Sequence, residues 1–197
     1  MNTLILYAHP NPQSFNAAIK HTLQHSLQEQ GSEVRIRDLY EMRFNPILSV
    51  DDFNEYAQKS LPADVKEEQE HIAWAEQLIL LYPTWWISMP AILKGYVDRV
   101  FTNGFAFRYT ESGAEGLLTG KKALVFQTCG QPEQVLQQYG LIEPLRISID
   151  TGILGFCGIE TLAHEIFYEV PTITDDDRKQ MLDKVKGIIQ AQQSTVH

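Results

Sequence analysis

The sequence YPTWWISMPAILKGYVDRVF, residues Tyr82–Phe101, is the stretch that decides the fold. It starts at the end of an apolar run, Gln77–Tyr82, and an apolar run that stops at a proline is typical of a buried strand. Amphipathic helix signals follow from Pro90, so the stretch predicts a strand, a loop and a helix. The loop carries two adjacent tryptophans, Trp85 and Trp86. Two large aromatics are costly to expose and awkward to bury together, so a flat aromatic ligand against this loop would account for them.

Strand and helix signals alternate along the rest of the chain. Apolar or alternating runs predict five strands, at Thr3–Tyr7, Glu33–Asp38, Gln77–Tyr82, Lys122–Thr128 and Glu160–Tyr168. Three helices are predicted from their caps: one from Ser14 to a stop at Gly31, one from Asp64 with Glu67 completing a capping box, and one after a cap at Thr174. Further helices are predicted at about Ala91–Phe101 and over most of Pro132–Tyr139 and Glu143–Cys157. Residues 39–63 and 102–120 are expected to be loops, and the chain after Gln192 is expected to fray.

This alternation predicts an α/β fold with a mainly parallel, doubly wound sheet and helices on both faces. Among common strand orders, 2-1-3-4-5 suits five strands and leaves the alternating second strand at an edge. In sheets with that strand order, ligands bind beyond the carboxyl ends of strands one and three. The two most unusual loops, Ala8–Asn16 and Pro83–Met89, follow those strands and are expected to share one crevice. A length of 197 residues fits one domain over 1–197.

The composition argues against several classes of function. The net charge is −9, and phosphate binding needs a basic face, so neither nucleic acid nor an anionic membrane is expected as the main partner. The two cysteines, Cys129 and Cys157, form no C-x-x-C motif and no cluster with histidine. We therefore expect no disulfide framework and no metal site, and a reducing cytoplasm fits. The first residues lack a basic segment and a long apolar run, so no signal peptide or membrane span is expected.

The first of the two loops has the features of an anion site. It ends at a predicted helix N-terminus, where free N–H groups and the helix dipole favour a phosphate. Ser14 adds a hydroxyl, Asn16 an amide and His9 a ring donor. Ser14 alone is better explained as a helix cap, but His9, Ser14, Phe15 and Asn16 together favour a phosphate or pyrophosphate. The loop is neither G-x-G-x-x-G nor a P-loop, which disfavours a Rossmann nicotinamide site and an NTPase.

Two further loops complete the predicted slot. Pro83–Met89 would supply backbone N–H groups and a flat wall, and Gln127–Gln131 follows strand four, where Gly130 permits close backbone approach. Cys129 has no base or cation beside it in sequence, so it is interpreted as a small buried residue rather than a nucleophile. An anion site next to an aromatic slot fits a phosphorylated planar cofactor. A flavin, which carries out hydride chemistry, is the commonest such ligand.

These residues carry a resemblance to a known family. Over nearly its whole length the chain resembles the flavodoxin-like NAD(P)H:quinone oxidoreductases, which comprise DT-diaphorase and its bacterial relatives. The matching segments are AHPNPQSFNAAI (8–19), DLYEMRFNPIL (38–48), YPTWWISMPAILKGYVDRVF (82–101), GFAFRY (104–109) and GILGFCGIETL (152–162). The third segment is the most specific of them.

The resemblance implies roles for individual residues. The flavin loop at the first strand would use His9, Ser14, Phe15, Asn16 and Ala18. The isoalloxazine would be contacted by Pro83, Thr84, Trp85, Trp86 and Ile87, with Gln127, Thr128, Cys129 and Gly130 around the ring edge and ribityl chain. The adenine half of FAD would be contacted by Asp98 and Arg178. The substrate slot would be lined, partly from the other subunit, by Phe107, Tyr109 and Phe156.

The resemblance also implies a homodimer with two flavins at the subunit interface and a ping-pong reaction. NAD(P)H would reduce the flavin and leave, and a quinone, or an azo or nitro compound, would then take a hydride in the same pocket. FAD and FMN both remain open, because Arg178 and the long 39–63 segment favour FAD whereas many bacterial relatives of this size use FMN.

The chain departs from the family pattern at the third loop. Many members have Thr-Thr-Gly-Gly where this chain has Gln127-Thr128-Cys129-Gly130, and the larger members place a Tyr and a His after that loop. Here only Tyr139 lies nearby in sequence, so it is the candidate catalytic residue. Charge on the reduced ring would then be met by backbone N–H groups, together with Tyr139.

Two other classes of function remain as alternatives. The first is an electron carrier like flavodoxin, which the aromatics after Phe101 disfavour because a carrier needs only an exposed flavin edge. The second is a regulatory flavoprotein of a potassium-efflux system, as some relatives are. Co-purification with a membrane transporter would favour that second alternative.

Overall fold

The computed structural model describes residues 1–193 and has the doubly wound α/β architecture that the sequence predicts. Its strands are β1 (Asn2–Tyr7), β2 (Glu33–Asp38), β3 (Gln77–Pro83), β4 (Phe107–Thr110), β5 (Gly113–Gly116), β6 (Lys122–Thr128) and β7 (Glu160–Phe167). Five of them form a parallel sheet in the order β2-β1-β3-β6-β7, which confirms the predicted order and the edge position of the second strand. The predicted fraying after Gln192 concerns mainly residues 194–197, which lie outside the described residues.

Helices cover both faces of this sheet. They are α1 (Phe15–Glu29), α2 (Val50–Ala57), α3 (Ala63–Trp74), α4 (Ala91–Val100), α5 (Glu133–Gln138), α6 (Ile142–Ile149) and α7 (Asp175–Gln193), with a π-helical turn Asp150–Leu154 and a 3₁₀ turn Gly155–Cys157. Alternate strand side chains point to opposite faces, so one face packs against α3, α4 and α6, and the other packs against α1 and α7. Within residues 1–193, no helix is both long enough and apolar enough to cross a bilayer.

Two segments that were predicted to be loops contain secondary structure. Helix α2 lies inside 39–63 and begins with a capping box, in which Ser49 accepts from the N–H of Asp52 at 3.1 Å and the Asp52 carboxylate accepts from the N–H of Ser49 at 2.7 Å. The segment 102–120 contains the antiparallel hairpin β4–β5. This hairpin escaped sequence analysis because its residues are largely exposed and carry no alternating apolar pattern.

The predicted helix caps had different outcomes. The cap at Thr174 is confirmed, because its hydroxyl accepts from the N–H of Asp177 at 3.2 Å. The predicted capping box of Asp64 with Glu67 is wrong. Helix α3 begins one residue earlier, after Pro62, and has no side-chain cap. Asp64 instead binds Arg99 on α4, a long-range partner that local sequence cannot indicate.

Arg99 holds the segment between β2 and α3 against α4. Its side chain is 4% exposed and forms ion pairs with Asp52 at 2.9 Å and with Asp64 at 2.5 Å. It also donates to the carbonyl of Asn45 at 2.9 Å. Gly95 permits this approach, since a Cβ on it would lie 2.1 Å from the carbonyl oxygen of Pro46. Helix α4, which carries Arg99, begins directly after the twin-tryptophan loop, so this buried arginine helps to fix the position of the end of the loop.

We expect Arg99→Met to lower the free energy of unfolding by about 3 to 5 kcal/mol, because Asp52 would stay buried without its partner. Urea unfolding measures the change, and adding Asp52→Asn should recover part of it. An unchanged urea midpoint in Arg99→Met would contradict this account.

The same pair predicts a pH dependence. Burial acts to raise the pKa of Asp52, but hydrogen bonds from Arg99 and Ser49 outweigh it and hold the pKa below its ordinary value. The stabilisation is therefore complete above the ordinary aspartate pKa of about 3.9 and is lost as the pH falls below it. The stability difference between wild type and Asp52→Asn should shrink over that range.

Candidate functional site

A cleft of about 350 Å³ lies at the carboxyl ends of β1, β3, β6 and β7, where the strand order reverses. Its lining residues come from four loops and are His9, Ser14, Phe15, Asn16, Pro83, Thr84, Trp85, Thr128, Cys129, Gly130, Val170 and Pro171. A larger groove of about 660 Å³ runs beside β7, but it shares no lining residue with this cleft and is lined mainly by charged and polar side chains. The cleft is therefore the candidate site, as the two unusual loops predicted.

Thr128 at the end of β6 joins the loops to one another. Its hydroxyl accepts from the side-chain amide of Asn16 at 2.6 Å, and its carbonyl accepts from the N–H of Thr84 at 2.7 Å. The next residue continues the connection, because the N–H of Cys129 donates to the carbonyl of Phe167 at 2.7 Å and its carbonyl accepts from the N–H of Val170 at 3.1 Å. All four loops are thus hydrogen-bonded into one rim.

One end of the cleft is the N-terminus of α1. Within the described residues, the N–H groups of Phe15 and Asn16 have no acceptor, whereas the hydroxyl of Ser14 accepts from the N–H of Ala17 at 3.2 Å. Free N–H groups at a helix start attract an anion. Ser14 therefore serves as the predicted cap and also places its hydroxyl beside the free donors.

His9 adds a further donor at this end. The N–H of Asn11 donates to Nδ1 of His9 at 3.0 Å, so Nδ1 is an acceptor and the ring proton of a neutral imidazole lies on Nε2. Partial burial lowers the pKa of His9, which favours this neutral ring. The centre of the ring is 6.3 Å from that of Trp85, so His9 lies between the anion end and the tryptophan wall.

The twin tryptophans lie on a tight, strained turn. Trp85 and Ser88 exchange two backbone hydrogen bonds, at 2.9 and 3.0 Å, and the residues between them have left-handed backbones, with φ of 52° at Trp86 and 56° at Ile87. This conformation costs about 1–2 kcal/mol per residue, and two such residues in succession are found only here among the described residues.

The same turn exposes its side chains and its donors. Trp86 is 99% exposed and Trp85 is 40% exposed, so in the single chain the pair is not buried. Within the described residues the N–H groups of Trp86 and Ile87 have no acceptor. The turn therefore offers free donors and an aromatic face to a ligand or to another chain.

Several of the predicted site residues do not line the cleft. Ala18 lies one turn into α1, and Trp86 and Ile87 lie at the tip of the turn. Gln127 is fully buried, and its side-chain oxygen lies 2.6 Å from Nε2 of His164. Asp98 is paired with Lys94 at 2.5 Å on α4. The roles assigned to these residues stay predictions.

The predicted adenine contact, the candidate catalytic tyrosine and the predicted substrate-slot aromatics lie outside the cleft lining. Arg178 donates to the carbonyl of Val170 at 3.0 Å, directly beside the cleft wall. Tyr139 follows α5, is 70% exposed and does not line the cleft. Three aromatic rings form one cluster, in which the centroid of the Phe107 ring is 5.6 Å from that of Tyr109 and 5.0 Å from that of Phe156. The structure brings these rings together but does not bring them into the cleft.

Sequence reasoning missed Val170 and Pro171. A signal was available, because the fifth strand of the predicted order lies beside the fourth, so the loops after both strands must meet. Within residues 1–193, no group of three or more His, Cys, Asp or Glu side chains could hold a metal ion. Both cysteines are free thiols and are buried.

Comparison with known proteins agrees with this geometry. A family model described as a flavodoxin-like fold matches residues 1–189. The chain belongs to this flavodoxin-like family. A Haemophilus influenzae protein named as an uncharacterised NAD(P)H oxidoreductase is 39% identical over 93% of the chain and 91% of its own length. The ribosyldihydronicotinamide dehydrogenase [quinone] of Homo sapiens is 34% identical over 91% of the chain and 86% of its own length.

A solved structure is also similar to this chain. The NAD(P)H:quinone oxidoreductase from Methanothermobacter marburgensis has a TM-score of 0.88 to this flavodoxin-like chain. The two are 32% identical, and the match covers 98% of this chain and 97% of the other. The likeness therefore extends over nearly the whole of both chains.

The cleft fits the phosphate and ring of a flavin. Besides the free N–H groups of Phe15 and Asn16, its lining residues carry two buried oxygen atoms without a hydrogen-bond partner, Oδ1 of Asn16 and Oγ1 of Thr84. Buried polar atoms are nearly always paired, so a bound group or a water beside these residues would supply the missing partners. When it is bound, a flavin supplies the hydride chemistry.

We expect Thr128→Val to lower the free energy of unfolding by about 1–3 kcal/mol, because the buried amide of Asn16 loses its acceptor. Flavin affinity should fall as well, since the first and third loops are no longer joined. Thr128→Ser keeps the hydroxyl and is the matched control. Equal stability and equal flavin binding in the Val and Ser variants would show that this hydrogen bond does not organise the cleft.

Proposed function

We propose that this protein is a flavin-dependent NAD(P)H:quinone oxidoreductase. The observation that carries the proposal is the cleft at the reversal of strand order, which has unpaired amide donors at the start of α1 and lies beside the unpaired amide donors at the tip of the tryptophan turn. The first set suits a flavin phosphate, and the second set suits the polar edge of the isoalloxazine. Relatives named NAD(P)H oxidoreductase and dehydrogenase [quinone] support the reaction class.

In this proposal the residues of the chain bind and orient the cofactor. The N–H groups of Phe15 and Asn16, with the hydroxyl of Ser14 and Nε2–H of His9, hold the phosphate. The indole of Trp85 forms a wall of the ring slot, and the N–H groups of Trp86 and Ile87 donate to the ring edge. A flavin held in this way would supply the hydride chemistry between NAD(P)H and a quinone, with azo or nitro compounds as further acceptors.

FAD and FMN are both compatible with the cleft. The position of Arg178 supports FAD, because its guanidinium binds the carbonyl of Val170 beside the lining residue Pro171. Asp98 is bound to Lys94 through Oδ1, which leaves its Oδ2 as an acceptor for an adenine. A cytoplasmic location and no nucleic-acid partner suit the net charge of −9 and the free thiols.

We also propose that the protein is a homodimer. Single exposed apolar side chains are normal, but Trp86 is fully exposed on a strained turn beside the exposed Trp85 and Ile87. A second copy would cover this turn. In the same assembly, the exposed rings of Tyr109 and Phe156 would line the substrate slot of the partner. The electron-carrier and regulatory-subunit alternatives gain no support from the site.

The test of the function is the spectrum of the purified protein. We expect visible flavin absorption, a released cofactor whose mass is that of FAD or FMN, and oxidation of NAD(P)H that requires a quinone. If the cofactor is FAD, Arg178→Ala should weaken FAD binding but leave FMN binding unchanged, while the neighbouring Lys179→Ala serves as control. A protein that binds neither flavin after reconstitution would overturn the proposal.

The dimer has its own test at the tryptophan turn. We expect Trp86→Ala to raise the dissociation constant of the dimer, measured by analytical ultracentrifugation, and to weaken flavin retention. Trp86→Gly relieves the left-handed backbone as well, so it should lose the dimer contact without added strain. Phe53→Ala removes an exposed ring on α2 and is the control. A monomeric wild type, or a Trp86→Ala dimer as tight as wild type, would contradict the assignment.

A further inference from the structure

A buried polar cluster lies beneath the cleft, on the face of the sheet that packs against α6. His164 on β7 is at its centre, with Nδ1 2.8 Å from a carboxylate oxygen of Asp150 and Nε2 2.6 Å from Oε1 of Gln127. Tyr82 is the register partner of Gln127 on β3, so the two side chains project to the same face. Asp150 begins the π-helical turn, an element that is often found at functional sites.

Two groups in this cluster lack partners. The amide nitrogen of Gln127 and the hydroxyl of Tyr82 are both buried and unpaired. The oxygen and nitrogen of a glutamine amide are assigned from the surrounding hydrogen bonds, so the amide can be turned by 180°. Its nitrogen then donates to Nε2 of His164. Its oxygen becomes an acceptor that one buried water can join to the Tyr82 hydroxyl, since the two groups make no direct hydrogen bond.

This arrangement fixes the state of the histidine. Nε2 accepts from Gln127, so the single ring proton lies on Nδ1 and is donated to Asp150. Burial lowers the pKa of His164, although Asp150 acts in the opposite direction, and the lowered pKa agrees with a neutral ring. With that water in place, each of these side-chain groups has a partner, whereas a charged imidazole would leave the Gln127 nitrogen unpaired.

The cluster is one residue away from two walls of the cleft. Gln127 precedes Thr128, which joins the loops, and Tyr82 precedes Pro83 and Thr84. The side chains of Gln127 and Tyr82 are buried on the α6 face of the sheet, where His164 bonds Gln127, while Thr128, Pro83 and Thr84 line the cleft. A change in the direction of the Gln127 side chain would therefore move the end of β6.

We propose that His164 is a positioning residue of the flavin site: held by Asp150 and bonded to Gln127, it fixes the ends of β6 and β3 that carry Thr128 and Thr84. The inference rests on the proposed function, because it assigns the cleft to a flavin. It also gives Gln127 a role that is different from direct contact with the ring.

Two amide variants of His164 separate its two hydrogen bonds. In His164→Gln the amide reaches the place of Nε2 and keeps the bond to Gln127, whereas in His164→Asn it reaches the place of Nδ1 and keeps only the bond to Asp150. Apoprotein is titrated with FMN and with FAD, and binding is followed by flavin fluorescence. We expect His164→Asn to raise the flavin Kd about fivefold and His164→Gln to stay within about twofold of wild type.

The control is His71→Asn, which removes a partly buried histidine of α3 that does not line the cleft and should leave the Kd unchanged. Equal Kd values for the Asn and Gln variants would overturn the inference while the proposed function stands. Wild-type apoprotein that binds neither flavin would overturn the proposed function, and the inference with it.

A second measurement applies if His164→Asn does not fold. The ¹⁵N resonances of the imidazoles in wild-type holoprotein report which ring nitrogen carries the proton, and contacts to the Gln127 side chain identify His164. We expect a neutral ring protonated on Nδ1 at pH 7. A doubly protonated ring, or a proton on Nε2, would overturn the inference.

Discussion

The cleft depends on the hydrogen bonds made by Thr128 at the end of β6. Its hydroxyl binds Asn16 at the start of α1, and its carbonyl binds Thr84 after β3, so one residue joins the anion end to the tryptophan wall. The carboxyl ends of parallel strands meet at one edge, which leaves their loops close together but does not align them. Alignment comes from these side-chain and backbone bonds, all of which are short and protected from water.

The tryptophan turn is the part of the structure that is least favourable by itself. Its two left-handed residues and its exposed indoles raise the free energy of the single chain. The elements on either side are correspondingly rigid: β3 is fully buried, and α4 is held by the buried ion pairs of Arg99. A strained turn persists when its surroundings fix it in this way, and ligand or subunit contacts would then release part of the cost.

Much of the fold and part of the site could be predicted from sequence because their signals are local. The central strands β1, β3 and β6 are nearly continuous apolar runs and β2 alternates, so all five strands of the sheet were found. The shared position of the unusual loops then followed from the strand order. Helix α2 was missed although Ser49 and Asp52 form a capping box and Val50, Phe53 and Ala57 recur at helical spacing. The helix has only eight residues, and Val50 and Phe53 are exposed, so its pattern is too short to stand out in the segment 39–63. The cap at Asp64 was wrong since Arg99, distant in sequence, attracts that carboxylate. Val170 and Pro171 were missed although the strand order implied their position.

The sequence by itself determined the family, the order of the sheet and the two loops that meet at its reversal. Only the tertiary structure decided which side chains at those loops are hydrogen-bonded to one another. Asn16 and Thr128 are 112 residues apart, and Gln127 and His164 are 37 residues apart. No periodicity or motif encodes such pairs, because the first depends on how α1 packs on the sheet and the second on the register of β6 and β7. The exposure of Trp86 was likewise decided by the fold, since the turn directs its side chain away from the core.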